Sequence, residues 1–358
     1  MEIKQYNCIS ADTQILTARG WKDANTIRVL DEVYSLDVTR NKIIKNSCQH
    51  IFCYDFAGQM VNIKNQNTDQ LVTPNHHCLV QDVIKTKTKG GQVNYVKHDY
   101  WVYKDAWQIR SGTTKFPLAG SYSGKLMYEN LFCELVGLII ADGCYNKQND
   151  YMAIYQSEVN EKILQRIRYI LGKLKIPYSE YIREKEYADP KHFIHLSDEK
   201  LGKTYLYHEF YLGSSAKEWV KKIRQLCPSK KLHWGLLELE AENKEYLLKG
   251  LCEGDGRKSN YKFGFGDFYQ NDMEELEVFQ ALLHMTNKQG WINKKKMSCS
   301  IHLNPTTEIQ GKHYKNRLVD YEGYVWCIET EIGNFMARRN GKIFITGNSF
   351  PIDKNLSV

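Results

Sequence analysis

Two nine-residue segments hold the residues best suited to chemistry in this chain. They are Leu135-Val136-Gly137-Leu138-Ile139-Ile140-Ala141-Asp142-Gly143 and Leu248-Lys249-Gly250-Leu251-Cys252-Glu253-Gly254-Asp255-Gly256. Each has two small residues four apart, Gly137/Ala141 and Gly250/Gly254, and each ends in Asp-Gly. Residues i and i+4 share a helix face, and small side chains there let two helix backbones approach closely. A terminal glycine suits a helix end, so Asp142 and Asp255 should project side by side from two packed helices. Neighbouring carboxylates repel unless a cation neutralises them. Hard oxygen ligands of this kind suit Mg²⁺, and divalent ions so held activate water and stabilise the leaving oxygen in phosphodiester hydrolysis. One such segment alone is ordinary helix packing; two in register point to a site.

These segments resemble the motifs of the LAGLIDADG homing endonucleases, over about residues 129–300. The resemblance implies two helices at a pseudo-twofold interface, Asp142 and Asp255 as ligands of Mg²⁺, and a double-strand break in DNA. It also implies a lysine upstream of the second motif, in a Lys-x-hydrophobic-Pro pattern. Lys230-Lys231-Leu232-His233 lies at a similar place, which makes Lys230 the candidate for polarising a water or phosphate. His233 stands where proline is usual, Lys249 where a small or apolar residue is usual, and Glu253 precedes Gly254. Lys294–Lys296 are candidates for contacting backbone phosphates.

A second set of residues is spread along the flanks: Cys8-Ile9-Ser10-Ala11-Asp12-Thr13, Thr73-Pro74-Asn75-His76, Tyr324-Val325-Trp326-Cys327-Ile328-Glu329-Thr330 and Ile345-Thr346-Gly347-Asn348-Ser349. Singly, each is commonplace. In this order they resemble the sequence blocks of inteins, whose splicing domain has the Hint fold. The resemblance implies that the Cys8 thiol attacks the Asn7 carbonyl, a role that suits cysteine because its thiolate is accessible and strongly nucleophilic. It implies that His76 bonds to and protonates the leaving nitrogen, and that Thr73 supports an oxyanion or the distorted amide. Ser349 then takes over the acyl group, and Asn348 cyclises to release it. Cys327 stands where many inteins have Asp. Gly347 replaces the histidine that usually precedes the terminal asparagine, and Glu331-Ile332-Gly333-Asn334-Phe335 lacks the histidine often found before Asn-Phe. Slow cleavage after Asn348, or another group in the histidine's role, is therefore expected. Splicing needs no cofactor.

The elements around these residues change character twice. Over 8–128, short alternating strands separated by Gly, Asn and Asp suggest an all-β region, with examples at Thr13–Thr17, Glu32–Leu36, Gln59–Ile63 and Gln70–Val80. Helices follow at Asn130–Ala141, Val159–Leu174, Ser215–Leu226, Lys244–Gly254 and Asp272–Met285, with strand-like pieces Met152–Gln156, Lys203–Tyr211 and Tyr261–Phe265 between them. Strands return at Ser300–Leu303, Tyr324–Thr330, Asn334–Arg338 and Lys342–Thr346. The expected architecture is multidomain: an all-β Hint horseshoe (8–128 and 301–348) interrupted by an α/β endonuclease domain with pseudo-twofold symmetry (129–300). Host-protein (extein) remnants would be 1–7 and 349–358. An insert is tolerated where its host has an exposed loop.

The 358 residues suffice for more than one core. A net charge of +7 permits a phosphate-rich partner. No apolar run reaches the ~18 residues of a membrane helix, and Met1–Asn7 lacks a secretory apolar stretch, so a cytoplasmic, monomeric protein without a membrane is expected. Ten cysteines show no repeating short spacing, and His76, His77 and Cys78 have no second half of a zinc site. The expected partners are double-stranded DNA of an intein-less host allele and the flanking extein segments. Two other readings compete. One is a homing endonuclease whose β domain binds DNA and does not splice efficiently; the other is a non-catalytic nucleic-acid-binding module.

Overall fold

The computed structural model describes residues 7–81, 83–87, 93–97, 100–109, 114–146, 151–186, 204–258, 265–308 and 317–348, with the backbone alone for 83–87, 93–97, 258 and 265. The chain divides into two compact units. One is built from the chain up to Gly124 and again from Asn271 onward; the other spans Lys125–Gln270. Five α-helices occur among the described residues: α1 (Asn130–Asp142), α2 (Glu161–Lys173), α3 (Lys217–Leu226), α4 (Ala241–Asp255) and α5 (Met273–His284). Each lies within three residues of its expected bounds.

The first unit is mainly antiparallel sheet. The stretch Gln59–Ile63 is the end of a 23-residue strand, Lys42–Lys64. This strand pairs first with Glu32–Asp37, then with Leu318–Thr330 in a register running from Thr330↔Cys48 to Leu318↔Val61, and finally with Asp69–Val72. Its middle is mostly exposed, so it lacks the alternating apolar pattern that marks a half-buried strand. The expected strand Gln70–Val80 is two strands, Asp69–Val72 and His77–Val80. Pro74, with no N–H to give a ladder, sits in the intervening turn, closed by the His76 amide donating to Thr73 O at 3.0 Å. Chain ends interleave. Ile9–Ser10 pairs with Trp326 and Val325, Gln14–Ile15 with Arg338 and Ala337, and Asn334–Arg339 with Lys342–Gly347. Trp326, Phe116, Phe335 and Phe344 fill the core between them, each worth about 1.5–3 kcal/mol of burial.

Helix α5 and the hairpin Gln289–Asn293/Ser298–His302 belong to the first unit, although the sequence pattern groups residues up to 300 with the α/β insert. The reason lies in polar side chains, Gln280 and His284 buried and Glu277 half-buried, that find partners there. Gln280 Nε2 donates to Gly341 O at 2.7 Å, His284 Nδ1 bonds Leu118 O at 2.6 Å, and Glu277 pairs with Arg338 at 2.8 Å. Periodicity identifies a helix but not the core it joins. Lys294–Lys296 form the exposed turn of this hairpin. Where the first unit's chain leaves and returns, the two strands of backbone are tied: Gly120 N donates to His284 O, Tyr122 N to Met285 O, and Ser121 bridges Thr286.

The second unit contains a four-stranded antiparallel sheet ordered Gly143–Tyr145, Met152–Ser157, Thr204–Leu212, Ser179–Glu186. Ile163, Leu164, Ile167, Ile170 and Leu171 form the buried stripe of α2. Helices α1 and α4 pack at backbone contact. A methyl group at Gly137 would overlap Leu247 O and come within 2.8 Å of Leu251 N; at Gly250 it would overlap Glu134 O and come within 2.9 Å of Leu138 N. Gly143 and Gly256 have φ of −93° and −94°, extended rather than the left-handed conformation expected of a glycine cap. They are required sterically instead, because a Cβ at Gly143 would lie 2.5 Å from Ile139 O and one at Gly256 would overlap Cys252 O. Of the expected strand Tyr261–Phe265, residues 261–264 lie outside the described residues; Phe265–Tyr269 is a strand. Gly250→Ala should therefore destabilise the protein by about 1–3 kcal/mol through overpacking in urea unfolding. Gly172→Ala on α2, where a Cβ meets nothing within 4 Å, should be neutral or stabilising.

Candidate functional site

In the second unit, the end of the α1/α4 pair gathers charged groups. Asp142, the last residue of α1, is half-buried, and its Oδ2 would lie 3.0 Å from a Cβ on Gly254, the residue before Asp255. Asp142 Oδ2 accepts from Gln156 Nε2 at 3.1 Å. Gln156 is oriented for this because its Oε1 already accepts from Ser157 N and Asn160 Nδ2. Gln156 escaped the sequence reading; its signal is a polar residue on the inward alternation of an apolar strand. Burial raises the Asp142 pKa, and the Gln156 hydrogen bond and Lys230 charge offset this in part. Lys230 Nζ donates to Ala141 O at 3.4 Å. Its loop is held by His233, in the expected proline's place, whose Nε2 bonds Leu226 O at 2.9 Å. Asp255 ends α4, half-buried. Among the described residues no three His, Cys, Asp or Glu side chains form a ready metal cluster.

The unusual Lys249 and Glu253 have partners. Lys249 Nζ lies 2.9 Å from Glu134 Oε1, and Arg166 grips both oxygens of the same carboxylate, with Nε at 2.6 Å from Oε1. Glu134, on α1, is fully buried, and a buried carboxylate requires such pairing. Glu253 stands 3.9 Å from Lys249, and its pKa is raised by burial and by Glu134.

In the first unit, the spread-out residues converge. Cys8 N donates to Thr73 Oγ1 and Thr73 N to Cys8 O, both at 3.0 Å. Thr73 thus grips the Cys8 amide, the nitrogen of the Asn7–Cys8 bond. The turn after Thr73 aims His76 inward, and it is anchored by Ala106 N to His76 O and Trp107 N to Pro74 O. His76 is fully buried, with Nε2 sharing a 2.7 Å hydrogen bond with the Thr346 hydroxyl. Its Nδ1 has no partner at ordinary hydrogen-bond distance, although the Asn7 backbone approaches the ring closely enough to favour its protonation. Burial outweighs that and pushes the imidazole pKa down to about 3, with the neighbouring His77 charge adding to it. Cys327 is fully buried on the strand that pairs with Ile9, near enough to raise the Cys8 pKa. Asn348 is 2% exposed; its Nδ2 donates to Thr330 O and its N to Gly333 O, both at 3.0 Å. Ser349, like residues 1–6, lies outside the described residues. One expectation changes: burial pushes the Cys8 thiol well above its ordinary value, so the thiolate is not pre-formed.

Residues 130–223 match the LAGLIDADG-like domain. Two curated relatives align with much of the chain. The ATP-dependent Clp protease proteolytic subunit of Chlamydomonas moewusii is 23% identical over 77% of this chain and 28% of the relative. The DNA-directed RNA polymerase subunit beta C-terminal section of Stigeoclonium helveticum is 21% identical over 97% of this chain and 37% of the relative. The chain thus spans well under half the length of either. Among solved structures, the homing endonuclease I-DmoI in complex with its target DNA is 14% identical, with a TM-score of 0.31 over 49% of this chain and 87% of that one. The PabCDC21-1 intein is 16% identical, with a TM-score of 0.23 over 34% of this chain and 76% of that one.

The His76 environment sets a pH dependence. Its folded pKa, about 3, lies below the ordinary 6.5, so the unfolded chain takes up a proton first as pH falls. The stability associated with the neutral ring is present above about pH 6.5 and is lost as pH drops toward 3. Urea midpoints followed over that range should fall less steeply for His76→Gln than for the wild type.

Proposed function

We propose that this chain is a self-splicing insert, an intein, that also carries a metal-dependent LAGLIDADG DNA endonuclease. The observation that carries the splicing half is the hydrogen-bonded path from Cys8 through Thr73 to His76, and from His76 to Thr346, two residues before Asn348. The relatives add support. The chain aligns with a minor part of two proteins whose described functions, proteolysis and transcription, have nothing in common. A segment shared by unrelated proteins behaves as an insert rather than as part of either activity.

On this reading the chemistry runs through the groups just named. The Cys8 sulfur bonds to the Asn7 carbonyl carbon, and the thiol proton ends on the Cys8 nitrogen, which Thr73 Oγ1 holds. The His76 ring, beside the Asn7 backbone, assists protonation of that nitrogen as the C–N bond breaks to leave a thioester. The Ser349 hydroxyl displaces the sulfur. Asn348 Nδ2, polarised by Thr330 O, then attacks its own carbonyl carbon, the bond to Ser349 breaks, and an O-to-N shift joins Asn7 to Ser349. Prior alignment of these groups is worth up to about 7–11 kcal/mol of barrier.

In the second unit, Asp142 and Asp255 fit a hard divalent cation: burial leaves the Asp142 carboxylate incompletely compensated. Mg²⁺ binds through one or two carboxylates and fills its remaining positions with water and substrate phosphates. When bound, it supplies an activated water and stabilises the leaving oxygen. Lys230, beside Asp142, orients phosphate or water, and the net positive charge favours DNA.

Mass spectrometry of the expressed chain is the test of splicing. The wild type should yield an excised product of residues 8–348, and Cys8→Ala should not yield the ligated ends. An intact wild-type chain with DNA cleavage retained leaves only an endonuclease. Asp142→Asn should abolish Mg²⁺-dependent cleavage of DNA carrying the uninterrupted host sequence while raising Tm, because it removes a carboxylate disfavoured by burial. Retained cleavage clears Asp142 of a catalytic role.

A further inference from the structure

Asparagine cyclisation moves two protons: one leaves Asn348 Nδ2, and one reaches the Ser349 nitrogen. The group that carries them is not supplied by the residues so far assigned. His76 is committed at the other junction, with Nε2 bonded to Thr346 and its ring beside the Asn7 backbone. Residue 347 cannot supply an imidazole, because a Cβ there would overlap the His77 carbonyl oxygen. Residue 333 is similarly hemmed in: at φ +81°, its Cβ would lie 3.3 Å from Tyr103 Oη. Tyr103 accepts from Asn334 Nδ2 at 3.2 Å, and burial raises its pKa, so it does not serve as a base at neutral pH.

Among the described residues, His77 offers a partly exposed imidazole next to this segment. The position of a Cβ on Gly347 is 3.1 Å from His77 Cβ, so the His77 side chain starts against the residue that precedes Asn348. Strand His77–Val80 pairs with Val102–Asp105, and the register sets Asp105 opposite His77. His77 Nε2 lies 3.4 Å from Asp105 Oδ1, while Trp107 Nε1 donates to Asp105 Oδ2 at 3.1 Å, which fixes the carboxylate at both oxygens. The His77 side chain is 21% exposed, enough to exchange a proton with water. A partly exposed imidazole held beside a carboxylate is the arrangement that general acid–base catalysis uses.

We propose that His77, oriented by Asp105, is the proton carrier for asparagine cyclisation at Asn348. This rests on the splicing reading above. As Nδ2 bonds to the Asn348 carbonyl carbon, its proton passes to His77. As the bond from that carbon to the Ser349 nitrogen breaks, His77 delivers a proton to the nitrogen. The products are a C-terminal succinimide and the free Ser349 amine, with no redox change and no co-reactant. Burial lowers the His77 pKa and the Asp105 charge partly restores it, so the ring is a base at neutral pH.

The test uses the full chain in two backgrounds, followed by intact-mass spectrometry. Cys8→Ala isolates cleavage after Asn348; Asn348→Ala isolates dithiothreitol-induced cleavage after Asn7. His77→Gln keeps a donor to Asp105 but cannot shuttle a proton. It should slow cleavage after Asn348 by about a hundredfold, the low end of acid–base contributions, and leave cleavage after Asn7 within about twofold. Asp105→Asn should slow the Asn348 step to a smaller extent. The rate after Asn348 should fall on acidification in the His77 chain, as an imidazole facing Asp105 and His76 protonates; in His77→Gln this fall should be absent. An unchanged Asn348 rate in His77→Gln, or equal slowing at both junctions, overturns the proposal. Thioester cleavage at Cys8 with His77 irrelevant sinks this assignment alone. No cleavage at either junction in the parent backgrounds sinks the splicing reading and this assignment with it.

Discussion

The pairing of Lys42–Lys64 with Leu318–Thr330 is the constraint on which the first unit depends. Thirteen residues from near the chain's end are zipped to a strand from its beginning. This closes a very long loop, a cost that grows only logarithmically with length. Once the ladder is formed, Ile9–Ser10 has an edge to pair with, and Cys8 is delivered to Thr73 and to the vicinity of Cys327. The turn Thr73–His76 follows directly from the last strand of the same ladder, and its imidazole reaches Thr346 on the terminal hairpin. The candidate splicing residues are thus held by backbone pairing between segments remote in sequence, and little by local structure.

The second unit solves a different problem. Two helices in backbone contact leave no room for side chains along their seam, so charge accumulates at its margins. Glu134 is buried and triply held by Arg166 and Lys249, whereas Asp142 has one amide hydrogen bond and a lysine nearby. The same helix therefore carries one carboxylate that is fully compensated and one that is not. That asymmetry separates a carboxylate that stabilises the packing from one available to a cation.

Much of this was legible in the sequence where the signal is local. The helices and the glycine seam could be read from residue types and spacing; the set Cys8, Thr73, His76, Cys327 and Asn348 came from its resemblance to intein sequence blocks. What escaped was decided by tertiary partners. Lys249 looks like a departure until Glu134 is seen beside it. Gly347 looks like a missing histidine until the His77 carbonyl is seen to fill the space of its side chain. The mostly exposed middle of Lys42–Lys64 has no apolar alternation because the ladder to Leu318–Thr330 holds it, with only Ile51 and Phe56 packing against the core. Helix α5 has a clear helical pattern, yet its place in the first unit rests on Gln280 and His284 reaching backbone carbonyls far along the chain.

The tie at Gly120–Tyr122 and His284–Met285 bears on how the chain evolves as well as how it folds. At that seam the first unit's own hydrogen bonds hold the outgoing and returning backbone together, so Lys125–Gln270 is, thermodynamically, one long excursion from a closed body that includes α5. Replacing the roughly 146 residues of Lys125–Gln270 by a link of about ten changes the closure entropy by about 2.4 kcal/mol, even if the excursion is treated as flexible. Gain, loss or decay of the second unit would therefore cost the first unit's sheet little beyond that closure term, and the two units could be inherited on separate schedules.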